Sequence, residues 1–209
     1  MQDPGLAQSI DSSKTMKPPP SLLLVLSPLL AYLIGSISFS FLLGKIRRRD
    51  LRTSGSGNLG AMNTARILGP VAGFVVLALD MGKGLAAAWL AQEISRSEMA
   101  VFASCIAVLL GHNYSLFMKF TGGKGLATVG GFLLIISPIT LFAELVVAGG
   151  TYRFSKNVHH AAVAMIVAFA PLLGLFTHSW KYFMLGLAIA GLSGLRHKKE
   201  IRQLLGKVA

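Results

Sequence analysis

The sequence has little of what builds covalent crosslinks or metal centres. Its 209 residues include a single cysteine, Cys105, so the chain cannot form an intrachain disulfide, and we expect a buried structural thiol. The eight acidic residues include no carboxylate pair, and no His or Cys cluster has the spacing of zinc ligands. We therefore expect no metal and no other cofactor.

Charged residues are also scarce. They make up 13% of the chain, against 53% hydrophobic residues, and the mean hydropathy is +0.63. This composition is too apolar for an ordinary soluble domain and is typical of a polytopic membrane protein. The net charge is nevertheless +12. The basic residues flank apolar runs and lack interleaved aromatics, which favours anionic membrane lipids over nucleic acid as the partner.

Long apolar runs predict an all-α bundle with seven transmembrane helices. Five runs are continuous: Ser21–Gly44, Pro70–Ala91, Met99–Phe117, Ala161–Phe176 and Tyr182–Leu195. The run Leu126–Tyr152 is too long for one ordinary crossing. We predict two short helices there, separated at Ser137–Pro138, because proline disfavours a continuous helix.

Basic segments predict the orientation of this bundle. Lys45–Arg52, Tyr152–His160 and the C-terminal stretch are basic and would share the cytoplasmic face, with the N-terminus outside. If Leu126–Tyr152 were one helix, the count would be six and the basic segments would lie on opposite sides, which the positive-inside rule disfavours. Residues 1–20 are polar and predicted to be a disordered tail, which leaves 21–209 as a single membrane domain.

The polar segment Ser54–Arg66 lies between the first two predicted spans. Its glycines allow sharp turns and a close approach to a ligand, and its Ser and Asn side chains add short donors. Arg66 adds a permanent positive charge suited to phosphate. The candidate residues are Ser56, Arg66, Gly55, Gly57, Asn58, Gly60 and Asn63. The alternative is a flexible connector followed by an ordinary helix.

A second glycine-rich segment, Gly111–Gly125, follows the third predicted span. Its end resembles a phosphate-binding loop, but the Walker spacing is absent and no Ser or Thr follows Lys124, so ATP binding of that type is not expected. Backbone N–H groups and a lysine would still make an anion site at the start of the next helix. The candidates are Gly122, Gly123, Lys124 and Gly125. His112 is either a core histidine bonded to a backbone carbonyl or a catalytic base.

Further polar groups lie near these segments. Asp80 and Lys83 are three residues apart in the second span, hence on one face, and form either a structural ion pair or part of a catalytic site. His197 lies in the basic C-terminal stretch. Positive and hydrogen-bonding groups dominate the predicted cytoplasmic face. The matching ligand is one or more phosphates on a cytosolic molecule, met by an apolar chain from the bilayer.

Five motifs occur in an order typical of one known family. They are Gly35–Lys45, Ser54–Gly69, Leu79–Gly84, Gly111–Thr128 and Arg196–Leu205. They closely resemble the PlsY family of bacterial acyl-phosphate-dependent glycerol-3-phosphate acyltransferases. The resemblance implies a seven-helix enzyme of the bacterial plasma (inner) membrane with a cytoplasmic active site. Its substrates would be acyl-phosphate and glycerol 3-phosphate, and its products lysophosphatidate and phosphate.

The resemblance also implies roles for single residues. Residues that hold the phosphates of the two substrates in the family match Ser56, Arg66, Lys124 and His197 of this chain. Asn58, Gly60 and Asn63 match the same first motif as Ser56 and are expected to shape its loop.

Three positions depart from the family pattern. The family usually has Thr where Met62 stands, Pro where Ser115 stands and Asn where Glu200 stands. A carboxylate facing glycerol phosphate would repel it. Either Glu200 pairs with a nearby Lys or Arg, or this member has altered substrate use or weak activity.

The third family motif is not recognisable in this chain. Ser155, His159 and His160 occupy its neighbourhood, and the sequence does not distinguish between them. Two other functions therefore stay open beside acyl transfer. One is an organic-phosphate transporter, which would need a polar path through the bilayer. The other is a diverged, weakly active homologue.

Overall fold

A computed structural model of the protein describes residues 19–206. Within them every regular element is helical, which confirms the all-α class. The α-helices are α1 (Pro20–Ser36), α2 (Phe39–Ile46), α3 (Ala61–Leu68), α4 (Pro70–Ser95), α5 (Glu98–Asn113), α6 (Leu126–Ile136), α7 (Pro138–Ser155), α8 (Val158–Thr177), α9 (Trp180–Arg196) and α10 (Lys198–Leu204). A 3-10 helix covers Leu116–Met118. Of the predicted tail, 1–20, residues 1–18 lie outside the described part of the chain, and Pro20 begins α1.

The first predicted span, Ser21–Gly44, is divided into two helices and is not the single helix expected, although the stretch Ser21–Ile46 is long and apolar enough to cross a membrane. Ile37 has an extended backbone and ends α1, and Ser38 caps α2 by accepting a hydrogen bond from the N–H of Phe41 at 3.3 Å. The break leaves the carbonyl oxygen of Ile37 without a helical partner. The Nζ of Lys83 donates to it at 3.1 Å. A cation from α4 thus stabilises this interruption.

The third predicted span, Met99–Phe117, was also too long. Helix α5 ends at Asn113, and the chain turns back through an antiparallel bridge between Ser115 and Thr121. The Ser115 hydroxyl donates to the carbonyl oxygen of Ser36 at 2.5 Å, a bond that a proline could not make. This turn therefore fixes the second glycine-rich segment against the end of α1.

The predicted break at Ser137–Pro138 is confirmed, because α6 ends at Ile136 and α7 begins at Pro138. Two short helices were not predicted. Helix α3 occupies the second half of the polar segment Ser54–Arg66, and α10 occupies part of the basic C-terminal stretch. Both are too short and too polar to show the long apolar run by which membrane spans are recognised.

Close helix packing depends on glycines at two contacts. Between α1 and α5, Gly35 lies against the carbonyl of Val108; between α4 and α6, Gly131 lies against the carbonyl of Met81. A Cβ at either glycine would overlap the facing backbone. Small residues at helix contacts are typical of membrane bundles, in which backbones approach closely. The buried core around these contacts includes Phe132 and other large apolar side chains.

The outer surface of the bundle is strongly apolar. Exposed side chains include Phe74, Phe142, Val167 and Trp180. Three helical stretches are long and apolar enough to cross a membrane, namely Ser21–Ile46, Pro70–Ser95 and Val158–Thr177. A surface of this kind is suited to lipid rather than to water.

The connections fall into two groups at opposite ends of the helices. One group contains the two glycine-rich segments, the start of α8 and the end of α9, which line one cavity. The other contains Arg96, Ser97 and Ile136, which lie together with Tyr182 at the start of α9. The polar segments singled out in the sequence therefore share one end of the bundle.

Candidate active site

A polar cavity of about 210 Å³ opens at the end of the bundle that carries the glycine-rich segments. Residues from six parts of the chain line it. The polar side chains in its wall are those of Asn58, Asp80, His112, Lys124 and His197. The flexible side chain of Met62 and the start of α6 also form part of the wall. We call it the polar cavity. Six of the residues proposed from sequence, Asn58, Gly60, His112, Lys124, Gly125 and His197, thus come together from four separate parts of the chain.

Asn63 determines the shape of the first glycine-rich segment. Its Oδ1 accepts the N–H of Ser56 at 2.9 Å, and its Nδ2 donates to the carbonyl oxygens of Leu51 and Ser54, both at 3.1 Å. The amide is buried and already engaged with backbone. It therefore holds the loop in shape and leaves ligand contacts to its neighbours. Gly55, Ser56 and Gly57 are exposed on that loop.

Arg66 lies outside the wall of the polar cavity. It is exposed in the last turn of α3, four residues after Met62, which lines the cavity. Residues four apart share a helix face, so Arg66 lies one turn outward from the wall. Gly60 precedes α3 and also lines the cavity. Of the residues proposed from the first glycine-rich segment, Arg66 therefore does not reach the cavity, whereas Gly60 does.

The second glycine-rich segment wraps over the end of α5. The N–H of Gly123 donates to the carbonyl oxygen of His112 at 3.0 Å, and its Cα faces both the His112 ring and the carbonyl of Leu59. A side chain at Gly123 would overlap both. Gly125 has φ +84°, a left-handed conformation that favours glycine, and it begins α6. Glycine is therefore needed for both the close approach and the turn.

Arg196 fixes the same segment from the other side. Its guanidinium donates to the carbonyl oxygens of Gly123 and Gly122, at 3.1 and 2.9 Å, and lies over the ring of Tyr114. Because the carbonyls turn toward Arg196, they turn away from the cavity, and an anion there does not meet them. Sequence reasoning did not single out Arg196, although it directly precedes His197.

Lys124 forms an ion pair with Glu200 of α10. His159 lies nearby, with its Nδ1 3.9 Å from the same carboxylate oxygen. Burial acts to raise the pKa of Glu200, but the hydrogen bond and charge of Lys124, a backbone hydrogen bond and the charge of His197 together lower it, and the pKa lies below its ordinary value. Of the two alternatives that the sequence left open for Glu200, the pairing with a nearby cation is the one observed.

His197 is a buried histidine with one defined tautomer. Its Nδ1 lies 2.9 Å from the carbonyl oxygen of Ser193, and since a carbonyl only accepts, Nδ1 carries the proton. In the neutral ring Nε2 is then left with a lone pair. Burial lowers the pKa of His197 below its ordinary value, with the charge of Lys124 acting in the same direction and the hydrogen bond to Ser193 against it. The neutral form, a potential proton acceptor, predominates near pH 7.

Asp80 and Lys83 form a buried ion pair at 2.8 Å on the inner side of the cavity. His112 lies beside it, with its Nδ1 3.6 Å from the same Asp80 oxygen. Lys83 also bonds Ile37, as described above. The pair therefore supports the helix interruption and the wall of the cavity, which is the structural role considered for it from sequence.

The N-terminus of α6 lies in the wall of the polar cavity. The first intrahelical bond runs from the N–H of Val129 to the carbonyl of Gly125, and Leu126 and Ala127 line the cavity. The first N–H groups of a helix have no intrahelical partner and carry partial positive charge. Together with Lys124 they make this wall attractive to an anion.

Ser155 lies outside the polar cavity. Its hydroxyl accepts from the N–H of Asn157 at 3.2 Å in the connection between α7 and α8. Of the neighbouring residues, Val158 lines the cavity and His159 faces Glu200. Among these positions His159 is the one whose side chain lies next to the charged groups of the site.

An apolar cavity of about 280 Å³ continues from the polar one into the bundle. Leu77, Leu126, Ala127 and Met165 line both, so they adjoin. We call it the apolar cavity. Its walls are almost entirely aliphatic and aromatic, with Glu144 and Ser193 as polar exceptions that sequence reasoning missed. An acidic residue within an apolar span is itself a sign of function.

Comparison with known proteins agrees with this combination of a phosphate-suited cavity and an apolar extension. The family described as "Glycerol-3-phosphate acyltransferase" matches residues 25–207. The glycerol-3-phosphate acyltransferase of Geobacillus kaustophilus is 39% identical over 180 residues, covering 86% of this chain and 91% of that protein. That of Desulforamulus reducens is 36% identical over 176 residues, covering 84% and 88%.

Solved structures are similar as well. The crystal structure of PlsY (YgiH), an integral membrane glycerol 3-phosphate acyltransferase, in its glycerol 3-phosphate form matches with a TM-score of 0.82 and 31% identity, covering 89% of this chain and 94% of that one. The lysophosphatidic acid form matches with a TM-score of 0.80. Fold and site thus define an integral membrane acyltransferase. The chain belongs to the glycerol-3-phosphate acyltransferase family.

Proposed function

We propose that this protein transfers the acyl group of an acyl-phosphate to the 1-hydroxyl of glycerol 3-phosphate. The observation that carries the proposal is the junction of the two cavities. A positively polarised chamber suited to phosphate leads directly into an apolar chamber suited to an acyl chain. The boundary between them is where an acyl carbonyl would lie.

The bonds change in one step in this proposal. The 1-hydroxyl oxygen of glycerol 3-phosphate attacks the acyl carbonyl carbon, the carbon–oxygen bond to the phosphate breaks, and the phosphate leaves. The hydroxyl proton passes to Nε2 of His197 and then to the departing phosphate. Acyl-phosphate is already activated, so no covalent enzyme intermediate and no cofactor is required. Positioning supplies most of the rate enhancement.

Cations stabilise the charge that develops on the leaving phosphate. Lys124 and the first N–H groups of α6 would hold the phosphate of the acyl donor, and Ser56 of the first loop would add a hydroxyl. Arg66 at the entrance would meet the phosphate of glycerol 3-phosphate, beside Asn58. Lys124 can serve only if a substrate phosphate displaces or shares its contact with Glu200.

The donor is the part of this proposal that needs a direct test. Purified protein in detergent or lipid cubic phase is given labelled glycerol 3-phosphate with palmitoyl-phosphate, palmitoyl-coenzyme A or palmitoyl-carrier protein in parallel. We expect lysophosphatidate and an equal amount of phosphate from palmitoyl-phosphate alone. Transfer from either thioester at the same rate would overturn the donor assignment. Uptake of glycerol 3-phosphate into liposomes without product would indicate transport instead.

We also propose seven membrane crossings in the bacterial plasma membrane, with the N-terminus outside and the polar cavity facing the cytoplasm. Helices α1 and α2 together would make the first crossing, and α4 to α9 the others. The sequence has one cysteine, Cys105, which is buried. Cys105→Ala therefore gives a background in which one introduced cysteine reports the orientation. A membrane-impermeant maleimide on intact cells should label Glu93→Cys and not Lys199→Cys. The opposite pattern would overturn the orientation.

A further inference from the structure

Glu144 is a carboxyl group with no partner in the middle of an apolar helix. It is 1% exposed, and among the described residues neither of its carboxyl oxygens has a hydrogen-bond partner. It lines the apolar cavity from α7. Ser193 lines the same cavity from α9, and its hydroxyl, also buried, has no partner within 19–206 either. Two unsatisfied polar groups therefore face one otherwise apolar chamber.

Such groups are costly without a compensating contact. A buried polar group that gives up water without a hydrogen bond destabilises the fold, and an ionisable one at membrane depth more so. A wholly hydrocarbon chain in this cavity would offer them nothing. A ligand that places a polar atom in the apolar cavity would give both groups a hydrogen-bond partner.

The donors and acceptors define that atom. A protonated carboxyl both donates and accepts, and so does a serine hydroxyl. A ligand hydroxyl also does both, so it can pair with each of these groups. We propose that this enzyme selects acyl chains that carry a hydroxyl group, which Glu144 and Ser193 recognise together. This inference rests on the acyl-transfer function proposed above and names the substrate class of that site.

The position of the hydroxyl follows from helix geometry. Ser193 lies four residues before His197, whose ring faces the polar cavity, so the two side chains are separated by one turn, about 6 Å along α9. If the acyl carbonyl lies at the junction of the cavities, an extended chain covers this distance within its first few carbons. The recognised hydroxyl therefore lies near the carbonyl end and not at the methyl end.

The test compares palmitoyl-phosphate with monohydroxylated palmitoyl-phosphates whose hydroxyl occupies successive carbons along the proximal half of the chain. The chain hydroxylated at its methyl end is the matched substrate control. We expect one proximal position to exceed plain palmitoyl-phosphate in kcat/KM by about tenfold or more, because a site built to bind a hydroxyl rejects the analogue that lacks it. The control should not exceed it.

Variants assign the preference to the two side chains. Glu144→Leu should abolish it and raise the rate with plain palmitoyl-phosphate, whereas Glu144→Gln, which keeps a donor and an acceptor, should retain part of it. Ser193→Ala should weaken it. Glu93→Gln, at the other end of the bundle, is the control for a lost carboxylate and should leave the preference unchanged.

Three results would overturn the inference. They are equal rates for all chains in the unaltered protein, a preference that survives Glu144→Leu, or a preference for the methyl-end hydroxyl. Equal rates with normal product formation would leave the proposed function intact. Absence of transfer from every donor would instead overturn the proposed function and this inference with it. Since Glu144→Leu removes a buried unpaired carboxyl, a higher melting temperature is expected and shows that the variant folds.

Discussion

Lys124 and Glu200 form an ion pair that joins the second glycine-rich segment to the last helix, although 76 residues separate them in the chain. The Glu200 carboxylate pairs with the Lys124 ammonium, which is the group that we propose binds the substrate phosphate. Glu200 and an incoming phosphate therefore compete for one ammonium group. We therefore expect the affinity for substrate to depend on the strength of this internal contact.

Removing that competition should strengthen substrate binding. In Glu200→Gln the side chain keeps its shape and loses its charge, so the repulsion of glycerol 3-phosphate disappears and Lys124 becomes available. We expect the KM for glycerol 3-phosphate to fall about tenfold, which corresponds to about 1.4 kcal/mol. Steady-state kinetics at several salt concentrations measure it. Glu93→Gln is the control, and a higher KM in Glu200→Gln would contradict the assignment.

Lys124 itself should be required for turnover. Lys124→Ala removes the charge that stabilises the leaving phosphate, and loss of one such group typically costs about 10²–10³ in rate. Lys119→Ala changes the same residue type in the same connection, at an exposed position, and should be close to neutral. The comparison uses kcat/KM with palmitoyl-phosphate. Equal activities in the two variants would remove Lys124 from the site.

Arg196 should act by positioning the second glycine-rich segment. Arg196→Met removes the two hydrogen bonds to Gly122 and Gly123, and misplacement of Lys124 should lower kcat by about 10²-fold. Arg196→Lys should recover only part of the lost kcat, because an ammonium lacks the planar, forked geometry with which the guanidinium reaches both carbonyl oxygens. Arg202→Met is the exposed control. Faster trypsin cleavage after Lys124 in Arg196→Met would report the loosened segment independently of activity.

The contact between Gly123 and His112 should tolerate no side chain. Gly123→Ala places a methyl group against the His112 ring and the Leu59 carbonyl, an overlap expected to destabilise the protein by about 1–3 kcal/mol and to abolish activity. Gly149→Ala has open space around it in α7 and should be neutral or stabilising by up to about 1 kcal/mol. Thermal unfolding in detergent compares the two. Equal melting temperatures would contradict the packing described here.

The pH dependence should report His197. Its lone pair at Nε2 is lost on protonation, so kcat/KM falls as the pH decreases through the pKa of this ring. Because burial lowers that pKa, the midpoint of the acid limb should lie below about 6.5, the ordinary histidine value. His197→Gln keeps a donor for Ser193 and should lose this limb, while any limb due to substrate phosphate persists. An unchanged profile in His197→Gln would exclude His197 as the base.

The sequence supported the architecture better than the details of the site. Apolar runs and Pro138 were sufficient to predict the all-α class and the break between α6 and α7, because these features are local. The break at Ile37 depends on Lys83, which lies 46 residues away, so no local pattern marks it. The pairing of Glu200 with Lys124 was one of two alternatives until the fold brought them together. Both features depend on contacts between residues that are far apart in the sequence, and local patterns do not reveal such contacts.

Helix α6 is shorter than its neighbour, and this has a consequence for where the chemistry takes place. Its eleven residues extend about 16 Å, whereas the 18 residues of α7, which starts from the same turn, extend about 27 Å. The start of α6, which forms part of the wall of the polar cavity, is therefore closer to the turn at Ser137–Pro138 than the end of α7 is. In the function proposed above, glycerol 3-phosphate would descend to the acyl donor, whose tail would keep the depth it has in the leaflet. No methylene groups would then have to be lifted into water, at about 0.8 kcal/mol each, for the new ester to form.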